Sequence, residues 1–343
     1  MLSARIVLLA GLAVSGVPAQ AQSPVVTASV TATAETAPVG TANDDAADDP
    51  AIWRNPRRPS ASLIVGTDKK AGLYVYGLDG AVRHFEAAGR VNNVDLIDLG
   101  RRGVIVVASD RNDPANAKLR IYRLDTKTGA LAALGAVDGG RGEAYGVCLT
   151  RQRGALYAFS VLKQGEVVQV RLDLSGAQPR GEAVRSLRLE TQPEGCVVDA
   201  RSNTLYVGEE VRGVWAFDAR ASGPVAGRLV APVDGRQLFA DTEGLALAPQ
   251  GRRDGWLVVS SQGDNSYALY ALPDMRPAGR FRVVAGVLGA TEETDGIAVA
   301  LGSFGRDYPR GLLVVQDGQN APRAQNFKLI DWRQVVKAVA APR

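Results

Sequence analysis

The sequence contains one histidine, His84, among its 343 residues, and this scarcity excludes several kinds of catalytic site. A histidine nucleophile, a Ser-His-Asp triad and a histidine-rich zinc site all need histidine in a binding cleft. His84 lies in AVRHFEA, a predicted outer strand, where we interpret it as an exposed side chain rather than a ligand. Long apolar runs are also scarce. Beyond the N-terminus, no stretch approaches the roughly 20 apolar residues that a membrane-spanning helix needs.

The N-terminal segment has the pattern of a secretory signal peptide. It reads MLSARIVLLAGLAVSGVPAQAQS, with Arg5 before an apolar run and the small residues Ala19 and Ala21 around a cleavage site. The run is too short and too rich in small residues for a spanning helix, and the alternative is a buried N-terminal helix. We assign residues 1–21 to a signal peptide and expect an exported protein, secreted or periplasmic, after cleavage near Ala21.

Six units of similar length fill the remaining chain. In most of them a short apolar strand begins beside an acid and a glycine, as in DTEGLAL from Asp241 and QPEGCVV from Gln192. Successive units are 46, 50, 49, 49 and 52 residues apart. Repeats of this length are typical of solenoids and propellers. The residues that mark the six units are Asp49, Asp95, Tyr145, Glu194, Glu243 and Asp295.

Each unit continues with further strands. Short β-branched and aromatic runs separated by Asp, Gly and Pro predict a second, a third and a weaker fourth strand, joined by tight turns. Four-stranded antiparallel units repeated six times predict an all-β fold, a six-bladed β-propeller, as one domain over residues 45–343. The sixth unit lacks a fourth strand. We expect VVTASVTAT, from Val25 to Thr33, to supply it and close the ring, so residues 22–44 form a leader and closing strand.

Acidic and basic residues are predicted to lie at opposite ends of the propeller. Strands alternate in direction within a blade, so the start of strand one and the turn between strands two and three share one end. That end receives 18 of the chain's 36 carboxylates. The net charge of +4 is no argument for nucleic-acid binding, because the turns at the other end lack interleaved aromatics and are interpreted as solvated. Those turns carry Arg54, Arg57, Arg58, Arg101, Arg102, Arg151, Arg153, Arg201, Arg252, Arg253, Arg306 and Arg310.

So many carboxylates at one end would repel each other unless cations bind or their pKa values rise. Oxygen ligands without histidine or cysteine suit Ca²⁺, a hard ion with six to eight oxygen ligands. The same end carries the cations Lys69, Lys70, Arg111 and Lys163 on units one to three, whereas Arg212 is interpreted as a local salt-bridge partner. A face that is half basic and half Ca²⁺-binding suits a densely anionic, phosphate-bearing ligand.

The two cysteines, Cys148 and Cys196, lie on the first strands of successive units. Their positions have opposite parity along the two strands, so their side chains are able to face each other across the interface between units. An exported protein permits a disulfide there, and two buried thiols are the equal alternative.

Ordered motifs across nearly all of the mature chain resemble the β-propeller phytases. They are DDPAIW, NNVDL, YG at Tyr145, EG at Glu194, EE at Glu209, DTEGLAL, SSQGDNSYALY, TDGI and QDGQNAP followed by QNFKLIDW. The resemblance implies a six-bladed, Ca²⁺-dependent phosphomonoesterase acting on Ca²⁺-phytate. It further implies that calcium ions at the channel mouth bind phosphate and activate a water molecule for direct attack on phosphorus, without a covalent enzyme intermediate.

The same resemblance implies roles for individual residues. Lys69 and Tyr145 would contact phosphate at the cleavage site, where Glu194 and Glu243 are also implied to be catalytic, and Lys70 would bind substrate nearby. Arg111 and Lys163 would hold a second phosphate of the same inositol ring. Asp317 and Asn320 match positions that bind calcium or order the last loop. The implied calcium ligands are Asp49, Glu194, Glu209, Glu210, Asp241, Glu243, Asp295, Asp317 and Asn320.

The chain departs from the family pattern in three places. Asp68 stands where the family has Asn, only Glu292 and Glu293 precede TDGI where further acids are common, and Ala298 follows TDGI where an acid is common. These changes predict weaker binding of one calcium ion and the same reaction class.

Two alternatives remain at this level. A six-bladed Ca²⁺-dependent lactonase needs fewer acids and no facing Lys/Arg set, and a non-catalytic propeller would use calcium only to brace its loops. Release of phosphate from phytate distinguishes the main prediction from both. The partner is expected to be a small molecule, Ca²⁺-phytate, bound by a monomer, with no nucleic acid and no membrane.

Overall fold

The structure, a computed structural model, describes residues 25–42 and 45–340. It contains six β-sheets, each built around consecutive antiparallel strands. The first strands of successive sheets contact one another around a ring, and the first strand of the sixth sheet contacts that of the first. This confirms the prediction of an all-β, six-bladed propeller with four-stranded antiparallel blades. The predicted signal peptide lies outside the described residues.

The six sheets are called blades 1 to 6. The strands of each blade are given in order from the central channel to the outer edge. Blade 1 comprises Ala47–Trp53, Leu63–Asp68, Gly72–Gly77 and Val82–Ala87. Blade 2 comprises Val91–Asp98, Val104–Asp110, Asn116–Leu124 and Leu131–Arg141. Blade 3 comprises Ala144–Gln152, Ala155–Leu162, Glu166–Asp173 and Arg180–Arg188. Blade 4 comprises Pro193–Asp199, Thr204–Glu209, Gly213–Asp218 and Arg228–Pro232.

The last two blades also include N-terminal strands. Blade 5 comprises Thr242–Gln250, Asp254–Ser261, Ser266–Ala271, Arg276–Val284 and, outermost, Thr27–Thr31. Blade 6 comprises Ile297–Leu301, Gly311–Asp317, Asn326–Asp331 and, outermost, Ala34–Glu35. Three short 3-10 helices span Pro59–Ala61, Gly100–Arg102 and Gln262–Asp264, and the α-helix Trp332–Ala340 follows the last strand.

The apolar cores lie between the blades. Each neighbouring pair of blades shares one buried cluster, and the cluster between blades 6 and 1 completes the ring. Second strands such as Leu63–Asp68 and Gly311–Asp317 are buried at every residue, because neighbouring blades cover both faces of the sheet. The outer strand Val82–Ala87 has no fully buried residue. This gradient explains why the second strands are nearly continuous apolar runs.

The predicted closing strand, Val25 to Thr33, is not confirmed as the fourth strand of blade 6. Within it, Thr27–Thr31 pairs in parallel with Arg276–Val284 and becomes a fifth strand of blade 5. The short strand Ala34–Glu35 lies antiparallel to Asn326–Asp331 at the outer edge of blade 6. The C-terminal helix explains this placement, since it packs on Thr27–Thr31 and gives Val30 a buried apolar site.

The two cysteines form a disulfide between the first strands of blades 3 and 4. The Cα atoms of Cys148 and Cys196 lie 5.7 Å apart, within the range that a disulfide spans. The structure therefore supports the disulfide rather than two buried thiols. Among residues 25–42 and 45–340, no helix has the length and apolar character needed to cross a membrane.

The glycines beside the acids bring the first strands of neighbouring blades close together. A Cβ atom on Gly195 would lie 2.4 Å from the carbonyl oxygen of Glu243, and one on Gly244 would lie 2.6 Å from that of Asp295. Both distances are shorter than any side chain tolerates. The Gly244 N–H donates a hydrogen bond of 2.8 Å to the Asp295 carbonyl. The repeated acid–glycine pair thus lets the strands approach at one end of the channel, where the acids stand side by side.

Candidate active site at the channel mouth

Three carboxylates converge at the end of the channel where the first strands begin. One oxygen from each of Glu194, Glu210 and Glu243 lies within 4.8 Å of the others. Glu194 and Glu243 start the first strands of blades 4 and 5, and Glu210 lies in the turn between the second and third strands of blade 4. We call these three residues the carboxylate cluster. Its members come from the starts of first strands and from a turn between second and third strands, the two kinds of segment that the sequence predicts at the same end of the propeller.

The carboxylate cluster is short of positive partners. Burial raises the pKa values of Glu194 and Glu243 well above their usual range. The charge of Glu243 raises the pKa of Glu194 further, and the charges of Asp295 and Glu210 raise that of Glu243. Asn92 donates a hydrogen bond of 2.9 Å to Glu194 Oε1, whereas the buried Glu243 Oε2 has no hydrogen-bond partner. Hard oxygen ligands with an unsatisfied buried carboxylate fit a divalent cation such as Ca²⁺.

Lys69 occupies the neighbouring part of the mouth. Its ammonium lies 2.9 Å from Asp45, 3.1 Å from Asp48 and 2.9 Å from Asp295. Burial alone would lower the pKa of Lys69, but these carboxylates raise it overall, so the side chain stays charged. Burial raises the pKa of Asp295 to about 7 despite the lysine. The buried Asp48 Oδ1 has no hydrogen-bond partner, so this group also has unused acceptor capacity.

Tyr145 lies between two cations. The guanidinium of Arg111 and the ammonium of Lys163 lie 5.6 Å and 5.0 Å from the centre of its ring. Burial and the charge of Glu194 raise the pKa of the Tyr145 hydroxyl above its usual value, so it stays protonated at alkaline pH. The structure thus brings Arg111, Tyr145 and Lys163 together beside the carboxylate cluster.

Amide side chains connect these groups, and none of them was singled out from the sequence. Asn92 accepts a hydrogen bond from Arg111 and donates one to Glu194. Gln192 donates to Glu210 and, over 3.2 Å, to the Tyr145 hydroxyl. Gln262 donates over 2.6 Å to Asp295 Oδ1. Their positions in the sequence could have indicated a role at the mouth, because Asn92 and Gln192 lie in the same short segments as the predicted acids.

Two predicted calcium ligands are engaged in other contacts. The buried Glu209 accepts hydrogen bonds from the Thr191 N–H over 2.6 Å and from the Trp215 indole N–H over 2.7 Å. Asp49 accepts a bond of 3.1 Å from the Val94 N–H on the next blade. These bonds order a turn and join two blades. The ligand roles of Glu209 and Asp49 therefore stay predictions without support from the geometry of their side chains.

Asp317 and Asn320 gather around an ammonium group. The fully buried Lys328 lies 3.0 Å from Asp317 Oδ2, 3.2 Å from Asn320 Oδ1 and 2.6 Å from Glu35 Oε2. This arrangement ties the N-terminal segment to blade 6. Whether the two residues bind calcium or order the last loop stays a prediction.

The remaining predicted residues lie around the mouth. Burial raises the pKa of Glu210, and the charge of the nearby Asp241 raises it further. Lys70 is exposed, and Asp68 accepts hydrogen bonds from the N–H and hydroxyl of Thr41. Arg212 pairs with Glu190 at 3.5 Å, as expected of a local salt-bridge partner.

His84 is the one side chain at which the expectation needs correction. It is half-buried rather than exposed, and its Nε2 lies 3.5 Å from Glu86 Oε2 on the same outer strand. His84 pairs with Val75 on the third strand of blade 1.

The raised carboxylate pKa values predict how the stability of the metal-free protein depends on pH. Burial raises the pKa of Asp95 to about 6 and that of Asp295 to about 7, both above their unfolded values near 4. The folded state then binds more protons in this window, so stability is lost as pH rises through it. We expect the free energy of unfolding in EDTA to fall by about 3 kcal/mol between pH 5 and pH 8.

Urea unfolding followed by tryptophan fluorescence at each pH measures this change. Asp295→Asn should flatten part of the slope, whereas Asp274→Asn, at an exposed turn far from the mouth, should leave it as it is. Constant or rising stability over this range would contradict the electrostatics described for the mouth.

Comparison with known proteins places this geometry in a family. The chain matches the family model described as Phytase over residues 1–342. It is 38% identical over 327 residues to a 3-phytase of Bacillus subtilis (strain 168). The matched region covers 90% of this chain and 85% of the relative. A chain of the mitotic checkpoint complex is similar at 16% identity and a TM-score of 0.49, over 92% of this chain and 87% of that chain, too weakly to support an argument. The resemblance that the motifs predicted is confirmed: the chain belongs to the phytase family of enzymes.

Proposed function

We propose that the protein is a calcium-dependent phosphomonoesterase that hydrolyses phytate, myo-inositol hexakisphosphate, to lower inositol phosphates and phosphate. The observation that carries the proposal is the carboxylate cluster beside Lys69, Arg111 and Lys163 at one channel mouth. Metal ligands and fixed cations side by side suit a substrate whose phosphates are both cleaved and held. Membership of the phytase family and the Bacillus 3-phytase support the substrate.

Calcium would be held by the carboxylate cluster, with Asp241 and Asp295 next to it. The donors are carboxylate oxygens, and histidine and cysteine do not contribute to the cluster. When bound, Ca²⁺ supplies charge that offsets the phosphate oxygens and lowers the pKa of water for direct attack on phosphorus. Repulsion of Glu243 by Asp295 and Glu210 makes the metal-free site unfavourable, so the cluster favours a bound cation.

The protein's own groups bind and orient the phosphates. Lys69 stays charged among Asp45, Asp48 and Asp295 and presents its ammonium to the phosphate that is cleaved. The protonated Tyr145 hydroxyl donates a hydrogen bond to the same group. Arg111 and Lys163, on either side of that ring, hold a second phosphate of the inositol and so fix the orientation of the substrate.

The proposal includes export and a monomeric enzyme. The signal-peptide pattern of residues 1–21 supports secretion or transfer to the periplasm, and the disulfide between blades 3 and 4 is compatible with an oxidising compartment. A lactonase is the weaker candidate, because it would not require Lys69, Arg111 and Lys163 at the mouth. A binding propeller without turnover is disfavoured by family membership.

Metal removal tests the proposal. We expect the purified enzyme to release phosphate from phytate with Ca²⁺, to lose that activity in EDTA, and to regain it when excess Ca²⁺ is added. The melting temperature should follow the same pattern, since a ligand that binds only the folded state stabilises it by mass action. Magnesium added after EDTA is the control for charge alone. Full activity and an unchanged melting curve in EDTA would refute the calcium site.

A further inference from the structure

A second charged site lies at the opposite end of the blades from the mouth. Between blades 2 and 3 the turns enclose a groove of about 870 Å³. Arg101 and Arg102 from blade 2, Arg123 from the same blade, and Arg171 and Arg180 from blade 3 line it. Because strands alternate in direction, these turns are separated from Lys163 and the carboxylate cluster by the length of a strand.

The arginines of the groove have no fixed partners. All five are exposed, and within residues 25–42 and 45–340 none forms an ion pair or a side-chain hydrogen bond. The groove also contains two acids, Asp173 and Glu182. The carboxylate of Asp173 already accepts hydrogen bonds from the Ser175 N–H over 2.9 Å and hydroxyl over 2.7 Å. Five guanidinium groups face two carboxylates, so the groove carries an excess of positive charge.

The arginines that follow the third strand are neutralised in three other blades. In blades 4, 5 and 6 an arginine follows an aspartate by two residues after the third strand, and the two form an ion pair. The pairs are Asp218–Arg220, Asp274–Arg276 and Asp331–Arg333. In blade 3 the corresponding position is Ser175, which takes the hydrogen bonds of Asp173. The charges of Arg171 and Arg180 act on that carboxylate, but neither arginine forms an ion pair with it. What distinguishes the groove is that unpaired arginines from two neighbouring blades line one cavity.

We propose that this groove is a second binding site for a compact molecule with several phosphate groups, of the inositol polyphosphate class. Guanidinium groups bind phosphate in a bidentate manner and keep their charge at all relevant pH values. The volume lies in the range of small-molecule sites, and the concave shape suits a compact ligand better than the flat surface of a bilayer. The choice of ligand rests on the proposed function, since inositol phosphates are the polyanions that a phytase meets.

Calorimetry with phytate in EDTA, in the Arg111→Ala/Lys163→Ala background, tests the groove without turnover and without the cations proposed to hold a phosphate at the mouth. We expect one binding event that weakens with added salt. Arg101→Gln/Arg102→Gln/Arg171→Gln/Arg180→Gln should weaken it by about tenfold or more. The matched control Arg57→Gln/Arg58→Gln/Arg252→Gln/Arg253→Gln removes the same charge from exposed turns at the same end and should change affinity by less than about twofold.

Absence of binding in EDTA, or equal losses in both variants, would overturn the inference. So would sedimentation with phosphatidylglycerol vesicles that depends on the groove arginines when phytate does not bind, since the partner would then be a lipid surface. Phosphate release with Ca²⁺ is measured separately. Binding in EDTA without release in Ca²⁺ would refute the proposed function and keep the groove, and release without binding in EDTA would do the reverse.

Discussion

Replacement of Glu243 by glutamine should raise the Ca²⁺ concentration for half-maximal phytate hydrolysis by about 10- to 100-fold. The change keeps the shape of the side chain and removes one charge from the carboxylate cluster, in which Glu243 Oε2 has no other partner. The same variant should be more stable than the wild-type protein in EDTA, because it removes a buried charge that is repelled by Asp295 and Glu210. Calcium titrations of the initial rate and urea unfolding in EDTA measure the two effects.

A weaker affinity for Ca²⁺ together with a higher stability in EDTA distinguishes loss of a metal ligand from damage to the fold, which would lower both. Glu190→Gln is the matched control, since Glu190 is mostly exposed and pairs with Arg212 outside the cluster. It should leave both the calcium titration and the stability in EDTA nearly unchanged. If Glu243→Gln lost activity without any change in the calcium requirement, Glu243 would act on the substrate and not through the metal.

Arg111→Ala/Lys163→Ala should lower kcat/KM for phytate on the order of 100-fold and leave a small aryl phosphate little changed. If these cations hold a second phosphate, a substrate with one phosphate never had their binding energy. Each charge-assisted contact is worth roughly 1.5–3 kcal/mol, which gives the expected size of the loss. Lys69→Ala should instead damage turnover of both substrates, because Lys69 is proposed to contact the phosphate that is cleaved.

The ratio of the losses on the two substrates is the measurement that decides. Arg111 also donates to Asn92, which donates to Glu194, so its removal can disturb the carboxylate cluster. Lys163 forms no such chain of hydrogen bonds within the described residues and acts on the cluster only through its charge near Glu210. Lys163→Ala therefore provides the milder control for selective loss on phytate. Equal losses on both substrates in Lys163→Ala would show that the two-phosphate interpretation of this face is wrong.

Much of the fold was predictable because a propeller is built from local units. Each blade needs four short strands with tight turns, so its pattern recurs along the chain at nearly constant intervals from Asp49 to Asp295. The ends of the chain follow no such repeat. Thr27–Thr31 joins blade 5 because the C-terminal helix offers it an apolar surface, a contact between the two ends of the chain that no local pattern reveals.

By itself, the sequence determined the ring of six blades and the end of the ring that carries the acids and Lys69, Arg111 and Lys163. Only the tertiary structure decided which of those acids act together. Glu209 and Glu210 are adjacent, yet one carboxylate binds Thr191 and Trp215 and the other joins the carboxylate cluster. Glu209 ends the second strand of blade 4 and Glu210 begins the turn after it, so the two side chains meet different partners, and those of Glu210 include Glu243 on the next blade. The same reason applies to the arginine groove, where unpaired charge became visible once the turns of two blades stood side by side.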